Sequence, residues 1–228
     1  ADGRLDPATS SEPDAALEYT YNPAQPVPTI GGTITSAEQI MLPGAFDQRD
    51  DARFFGCDGT GRDLGERDDV LSFRSAPLEQ DVEIAGVIRA SLFVSSDCVD
   101  TDITIKLIDE YPPSADDPQG FAMNLSDGIL RLRYRESWEQ AQMLVPGQVV
   151  QIEVEAFATA NHFARGHRIR LDVSSSNYPH FDLNPNTDAE PGRWRHAKMA
   201  RNRVHMDASH PSHLLLPVVP LCDDDCQG

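Results

Sequence analysis

Apolar and polar residues alternate with a period of two along most of the chain beyond residue 70. In Ile103, Ile105 and Leu107, for example, one face of a strand is apolar while the intervening residues are polar or charged. Strands of this kind bury one side only. The alternation predicts strands at residues 70–73, 82–84, 87–95, 103–108, 129–134, 149–157, 169–174 and 214–219.

Residues 1–50 follow a different pattern, because prolines and glycines interrupt any long helix or central strand there. We predict an extended segment that lies on the rest of the molecule. Only residues 17–21 and 30–34 alternate well enough to predict short strands.

The connections between the predicted strands are long and contain no repeating helical segment. The two longest are residues 111–125 and 177–210, and the second is compatible with one short helix over residues 194–204. Parallel strands would need helical crossovers, so these connections favour mostly antiparallel sheets packed face to face. Long crossings are typical of a jelly roll. The sequence therefore predicts an all-β jelly-roll sandwich with long loops.

The charge balance excludes one large class of partner. The 228 residues include 37 acidic and 19 basic side chains, a formal net charge of -18, whereas nucleic-acid binding needs clustered Lys and Arg. No apolar run is long enough to predict a membrane span, and the first residues lack the pattern of a signal peptide. A cytoplasmic and an exported bacterial protein both stay open.

Four cysteines limit the redox chemistry. Cys222 and Cys226 enclose three aspartates, a spacing that fits neither a zinc site nor a redox motif well. We predict a small disulfide loop there, with Cys57 to Cys98 as a second bridge. Free thiols are the equally weighted alternative, since an even count alone is poor evidence of oxidation.

Five arginines form outward rows on two predicted strands: Arg131, Arg133, Arg135, Arg168 and Arg170. Such rows bind an anionic ligand or pair with acidic residues of neighbouring strands. Pairing with Glu153, Glu155 or Asp172 is the favoured interpretation, at about 0.2–1 kcal/mol for each pair.

Asp97, Asp100 and Asp102 stand close together beside Cys98. Calcium takes several oxygen ligands from such loops, but the spacing lacks the glycine and the terminal glutamate of an EF-hand. A solvated turn between two strands is the preferred interpretation, and we predict no metal site.

Nucleophilic catalysis needs a strained turn that presents a serine to an oriented base, and the chain has no Gly-x-Ser-x-Gly pentapeptide. Serines follow one another at residues 174–176, and His205, Asp207, Ser209 and His210 lie close in sequence. Triad members usually come from separate elements, so the second group is better interpreted as a turn with capping roles. We predict no catalytic residue in this chain.

Particular strings are more specific than the pattern: residues 21–32 (YNPAQPVPTIGG), 69–73 (DVLSF), 100–109 (DTDITIKLID), 127–129 (DGI), 133–137 (RYRES), 166–170 (GHRIR), 174–179 (SSSNYP), 210–213 (HPSH) and 216–217 (LP). In this order they resemble the C-terminal domain of the CocE/NonD serine hydrolases, a family that includes X-Pro dipeptidyl-peptidases. The resemblance extends over most of the chain.

The resemblance implies a galactose-binding-like jelly roll over residues 18–220. Residues 1–17 would be an N-terminal extension or linker, and residues 221–228 an acidic tail that contains cysteines. An α/β-hydrolase catalytic domain of the same parent protein would carry the Ser, Asp and His triad. This chain would then be an accessory domain that is inactive alone and needs no cofactor, while homo-oligomer formation stays open.

The same resemblance implies that the segment after Gly31 and Gly32, residues 34–42, passes near the hydrolase. Ile40, Met41 and Leu42 are the predicted wall of its substrate pocket. The alternative is a stand-alone carbohydrate- or ligand-binding jelly roll. Carbohydrate modules usually display aromatic platforms, and an aromatic fraction of 7% makes this alternative weaker.

Overall fold

Two antiparallel sheets face each other in the computed structural model, which describes residues 3–8, 12–33, 40–190, 192–193 and 196–220. The five-stranded sheet contains, in spatial order, β1 (Ala16–Tyr21), β8 (Ala200–His205), β3 (Val82–Ser96) and β6 (Val150–Phe163), with β9 (His213–Leu215) also paired to β3. The four-stranded sheet contains β2 (Leu71–Arg74), β7 (Arg168–Ser174), β4 (Asp102–Tyr111) and β5 (Phe121–Arg131). Because most connections cross between the sheets, the predicted jelly-roll sandwich is confirmed.

The main core lies between the two sheets and consists of the apolar faces of their strands. Ile88 of β3, Leu107 of β4, Val154 of β6 and Val173 of β7 are completely buried. Burial of such side chains stabilises the fold by about 1.5–3 kcal/mol each. The period-two alternation seen in the sequence therefore reports this interior.

A second layer covers the outer face of the four-stranded sheet. The described residues between β1 and β2, 22–33 and 40–70, form a smaller apolar cluster on that face, which contains Val27, Ile30, Phe54, Leu64 and Val70. A 3-10 helix (Leu64–Glu66) is capped by the Asp63 carboxylate, which accepts from the amide of Gly65. The extended segment predicted at residues 1–50 thus lies on the rest of the molecule in its described part from residue 22 onward, and the covering layer continues to residue 70.

The helix predicted over residues 194–204 is wrong for the residues that the structure describes there. Residues 200–205 form β8, which pairs with β1 and β3. Ala200, Asn202 and Val204 face the interior, so inward and outward residues do alternate in β8. One of the inward residues, Asn202, is polar, which weakens the apolar pattern in the sequence.

The strand predicted at residues 129–134 begins and ends earlier in the structure. β5 starts at Phe121, and a 3-10 helix (Leu132–Tyr134) follows it. Gly128 lies inside β5, where an added Cβ would collide with the carbonyl oxygen of Glu155. The strands predicted at 82–84 and 87–95 are one strand, β3, whose register shifts near Gly86.

The ends of the chain bear on the predicted boundaries. The boundary at residue 17 falls inside β1, and Leu5 already packs against the main core and donates its amide to the carbonyl oxygen of Arg74 at 2.9 Å. The tail at residues 221–228 lies outside the described residues. The helices in the described ranges are two 3-10 turns of three residues each, so none of them could cross a bilayer.

Candidate functional site

The chain between Gly32 and Gly44, called the loop below, is closed at its base by these two glycines. The two glycines exchange backbone hydrogen bonds with N–O distances of 2.8 and 2.9 Å. Gly31 precedes them with a φ of 69°, and an added Cβ there would collide with the carbonyl oxygen of Gly44. The loop therefore starts and ends at fixed positions, although residues 34–39 lie outside the described part.

The three residues predicted to form a pocket wall stand at the end of this loop in different environments. Ile40 is 42% exposed, Met41 is buried, and Leu42 is partly buried against the smaller apolar cluster. Ile40 therefore presents the apolar surface of this trio to the outside.

Gln48 holds both legs of the loop with one side-chain amide. Its Nε2 donates to the carbonyl oxygens of Ile30 and Phe46, at 3.0 Å each, and these residues stand just before and just after the loop. The Phe46 amide donates to the Oδ1 atom of Asn124 on β5 at 2.8 Å. Gln48 is fully buried, so its hydrogen bonds to Ile30 and Phe46 are shielded from water.

Lys106 of β4 lies beneath Gln48 on the outer face of the four-stranded sheet. Its Nζ donates to Gln48 Oε1 at 2.7 Å, and Asp127 and Asp172 provide nearby negative charge. Burial lowers the pKa of Lys106 from its ordinary value. Sequence reasoning missed both residues, although a lysine in an alternating strand of a chain with only two lysines was an available signal.

Asp127 of β5 joins the base of the loop to the segment that follows β7. Its Oδ2 accepts from Asn177 Nδ2 at 2.9 Å and from His180 Nδ1 at 3.3 Å. The same oxygen lies 3.9 Å from the position that a Cβ would occupy on Gly32. The Nε2 atom of His180 is buried and has no hydrogen-bond partner among the described residues.

An aromatic patch includes His180, which contacts Asp127 at the loop base, and we define it as Phe55, Phe157, Tyr178, His180 and Phe181. The rings of His180 and Phe181 stack at 4.1 Å, and those of Phe55 and Tyr178 lie 5.9 Å apart. Phe55 and Phe157 are about half exposed, at 48% and 47%. Exposed apolar side chains that cluster in this way mark interaction surfaces.

The predicted rows of arginines do not form along the strands. Arg133 lies in the 3-10 helix after β5 and Arg135 caps it, while Arg170 is on the outer face of its sheet but buried under the covering segment. Arg170 is fully buried and binds Asp172 and Asp63 through 2.7 Å contacts. Of the predicted pairs, the one with Asp172 is therefore formed. Glu153 and Glu155 instead pair with Arg89.

The interpretation of the acidic trio as a solvated turn is also wrong for two of its members. Asp100 and Asp102 are fully buried, where they bind Arg133 and Arg131 at 2.7 and 3.0 Å. Asn184 Nδ2 bridges both carboxylates, so the long connection after β7 covers them. Among the described residues no cluster of His, Cys, Asp or Glu could hold a metal ion.

The serines that follow β7 are buried, and each takes part in a hydrogen bond: Ser174 with Thr104, Ser175 with Tyr19, and Ser176 with the amide of Val27. All three join the strands to the segments that cover them.

The residues around Ser209 form a capped turn, as the sequence predicts. Asp207 Oδ1 accepts from the amides of Ser209 and His210 at 2.8 and 3.1 Å, and Asp207 Oδ2 lies 3.0 Å from His210 Nδ1. His205 binds Ser95 at 2.9 Å instead of Ser209.

The predicted bridge between Cys57 and Cys98 is not formed, and both thiols are free. Cys57 packs against the smaller apolar cluster, whereas Cys98 Sγ lies 3.5 Å from the carbonyl oxygen of Met199, beside β8. Burial raises the pKa of each thiol to about 11, so both are protonated at neutral pH. Cys222 and Cys226 lie outside the described residues, and their bridge stays a prediction.

Comparison with known proteins decides the family. The model of the X-Pro dipeptidyl-peptidase C-terminal non-catalytic domain matches residues 1–215. The chain belongs to this family. Cocaine esterase of Rhodococcus sp. (strain MB1 Bresler) is 39% identical over 208 residues, which are 90% of this chain and 33% of that protein.

Two solved structures from larger proteins share the fold of this X-Pro dipeptidyl-peptidase C-terminal domain. An aminopeptidase from the marine sediment archaeon Thaumarchaeota archaeon superposes with a TM-score of 0.78, and an α-amino acid ester hydrolase with 0.77. Each is 28% identical, and each match covers 96% of this chain and 35% of the other. The chain thus spans about a third of the length of these hydrolases.

Proposed function

We propose that this chain is the accessory domain of a longer CocE/NonD-type serine hydrolase of esters, amides or X-Pro peptides. It packs on the α/β-hydrolase catalytic domain of the same parent protein. Ile40, Met41 and Leu42, at the end of the loop, form one wall of the substrate pocket. The nucleophile that forms the acyl-enzyme is supplied by the catalytic domain.

The observation that carries this proposal is the loop with its fixed base beside an exposed aromatic patch. A pocket wall must hold its position, and the loop legs are held by the Gly32–Gly44 bonds and by Gln48. The neighbouring patch offers apolar surface for another domain. Hydrolases about three times as long as the matched region contain this domain, which supports a partner within the same parent.

The test of the pocket wall is Ile40→Ala in the parent hydrolase. We expect the ratio of kcat/KM for long and short acyl esters to change about tenfold, because an apolar wall discriminates by one or a few methylenes. Leu42→Ala should have a smaller effect, since Leu42 is partly buried in this domain.

The matched control is Trp138→Ala, which removes a side chain that is 77% exposed on the connection between β5 and β6. It should leave the ratio unchanged. Equal ratios for Ile40→Ala and the wild-type protein would refute the pocket wall. The 228-residue chain alone should not hydrolyse a nitrophenyl ester, and activity that disappears on mutation of Ser209 would contradict that expectation.

The alternative function, a ligand-binding module, has one observation in its favour. A groove of about 430 Å³ lies on the outer face of the five-stranded sheet and is lined by charged residues such as Glu18, Arg201 and Arg203. No Phe, Tyr or Trp lines it, whereas carbohydrate modules usually display such rings. Calorimetric titration with a panel of sugars tests this function, and saturable binding would favour it.

A further inference from the structure

We infer that Gln48 is the positioning residue of the two chain legs that meet at Gly32 and Gly44, and that Lys106 fixes the orientation of its amide. The inference about loop position rests on this chain alone. Its consequence for substrate selectivity rests on the proposed function.

The argument starts from the donors and acceptors around Gln48. On one side lie the carbonyl oxygens of Ile30 and Phe46, which can only accept hydrogen bonds. On the other side lies the ammonium group of Lys106, which can only donate. A primary amide satisfies both sides in one orientation only, with NH₂ toward the carbonyl groups and oxygen toward the lysine.

The position of the two carbonyl groups gives this amide its mechanical role. Ile30 leads into the loop and Phe46 follows it, so one NH₂ group ties the entry leg to the exit leg. The tie is anchored through Lys106 to β4, a central strand of the four-stranded sheet. The two legs of the loop are thereby held in a fixed position relative to the four-stranded sheet.

Gln48→Glu is the sharpest variant, because it keeps the volume and the contact with Lys106. It replaces the NH₂ donor by an oxygen that faces two carbonyl groups. Hydrogen exchange of the Gly32 and Gly44 amides in the 228-residue chain should become about 10- to 100-fold faster, since both hydrogen bonds from Gln48 Nε2 to the two legs are lost. Gln48→Met, which has no carboxylate, should give the same local increase.

The matched control is Asn202→Asp, the same amide-to-acid change at another buried position. Asn202 Nδ2 donates to Thr101 and Ser175, away from the loop legs. This variant should lower the midpoint of thermal unfolding without a selective increase at Gly32 and Gly44. A change that only destabilises the fold would raise exchange at all of these amides together.

Kinetics of the parent hydrolase separate the inference from the proposed function. Faster exchange together with a raised KM at nearly constant kcat supports both. Faster exchange with unchanged kinetics supports the positioning role and refutes the pocket wall. Unchanged exchange at Gly32 and Gly44 in folded Gln48→Glu and Gln48→Met would overturn the inference.

Discussion

The outer faces of the two sheets carry similar charges in opposite surroundings. On the four-stranded sheet, Arg170 is 0% exposed and contacts Asp63 and Asp172 at 2.7 Å. On the five-stranded sheet, Arg89 is 44% exposed and lies 3.5 and 3.1 Å from Glu153 and Glu155. The difference comes from residues 22–33 and 40–70, which cover the first face and leave the second open.

The comparison shows that a covering segment changes the role of a charge. Exposed ion pairs contribute about 0–1 kcal/mol because water and salt screen them. A buried charge must be paired, since its desolvation costs several kcal/mol. On the covered face the pairs therefore specify where the segment docks, and on the open face they mainly maintain solubility.

The largest expected effect is that of Arg170→Met on the covered face. The change keeps much of the side-chain volume but leaves Asp63 and Asp172 buried without their main partner. We expect a loss of about 3–5 kcal/mol in the free energy of unfolding, measured by urea denaturation. A loss below about 1 kcal/mol would mean that the two faces do not differ as argued.

The next effect concerns Gly31 in the covering segment, compared with Gly147, which lies outside that segment. Gly31→Ala combines a positive φ with a collision against Gly44, whereas Gly147→Ala has a φ of 80° and open space around it. We expect Gly147→Ala to cost about 1 kcal/mol and Gly31→Ala to cost at least twice as much. Thermal unfolding of the two variants measures the difference, and equal shifts would contradict the close approach at the loop base.

A smaller effect is the acid sensitivity of the covered face. Burial raises the pKa of Asp63, but hydrogen bonds and charge from Arg170 outweigh it and hold this pKa below the ordinary value. A lowered pKa contributes stability that is present above about pH 4, the unfolded value, and is lost as pH falls through the folded value. Between pH 4 and pH 2 the unfolding free energy of Asp63→Asn should therefore fall less steeply than that of the wild-type protein. Parallel slopes would exclude Asp63 as a source of acid sensitivity.

The sequence predicts which residues face the core better than it predicts the partners of the buried polar side chains. The alternation in β4 and β7 reports which residues face the core, because that depends on local period alone. Arg131 pairs with Asp102, which lies directly opposite it on β4, and Arg133 pairs with Asp100 just before β4. These partners depend on which strands are neighbours and in which register, and spacing along one strand does not give either, so the sequence misassigned them. The same reason hides Gln48, whose role depends on Ile30, Phe46 and Lys106 meeting in space. The motifs identify the family, but they carry no information about these contacts.

The smallest effect tests the open face itself. Arg89→Ala should lower the free energy of unfolding by less than about 1 kcal/mol, because the guanidinium and both glutamates are largely solvated. The difference from the wild-type protein should shrink further in 1 M salt, where the screening length is about 3 Å. A double-mutant cycle with Glu155→Ala isolates the pair from the packing of the arginine stem. A coupling energy above about 2 kcal/mol that persists in high salt would show that solvent exposure does not set the strength of this pair, and the contrast between the two faces would then need another cause.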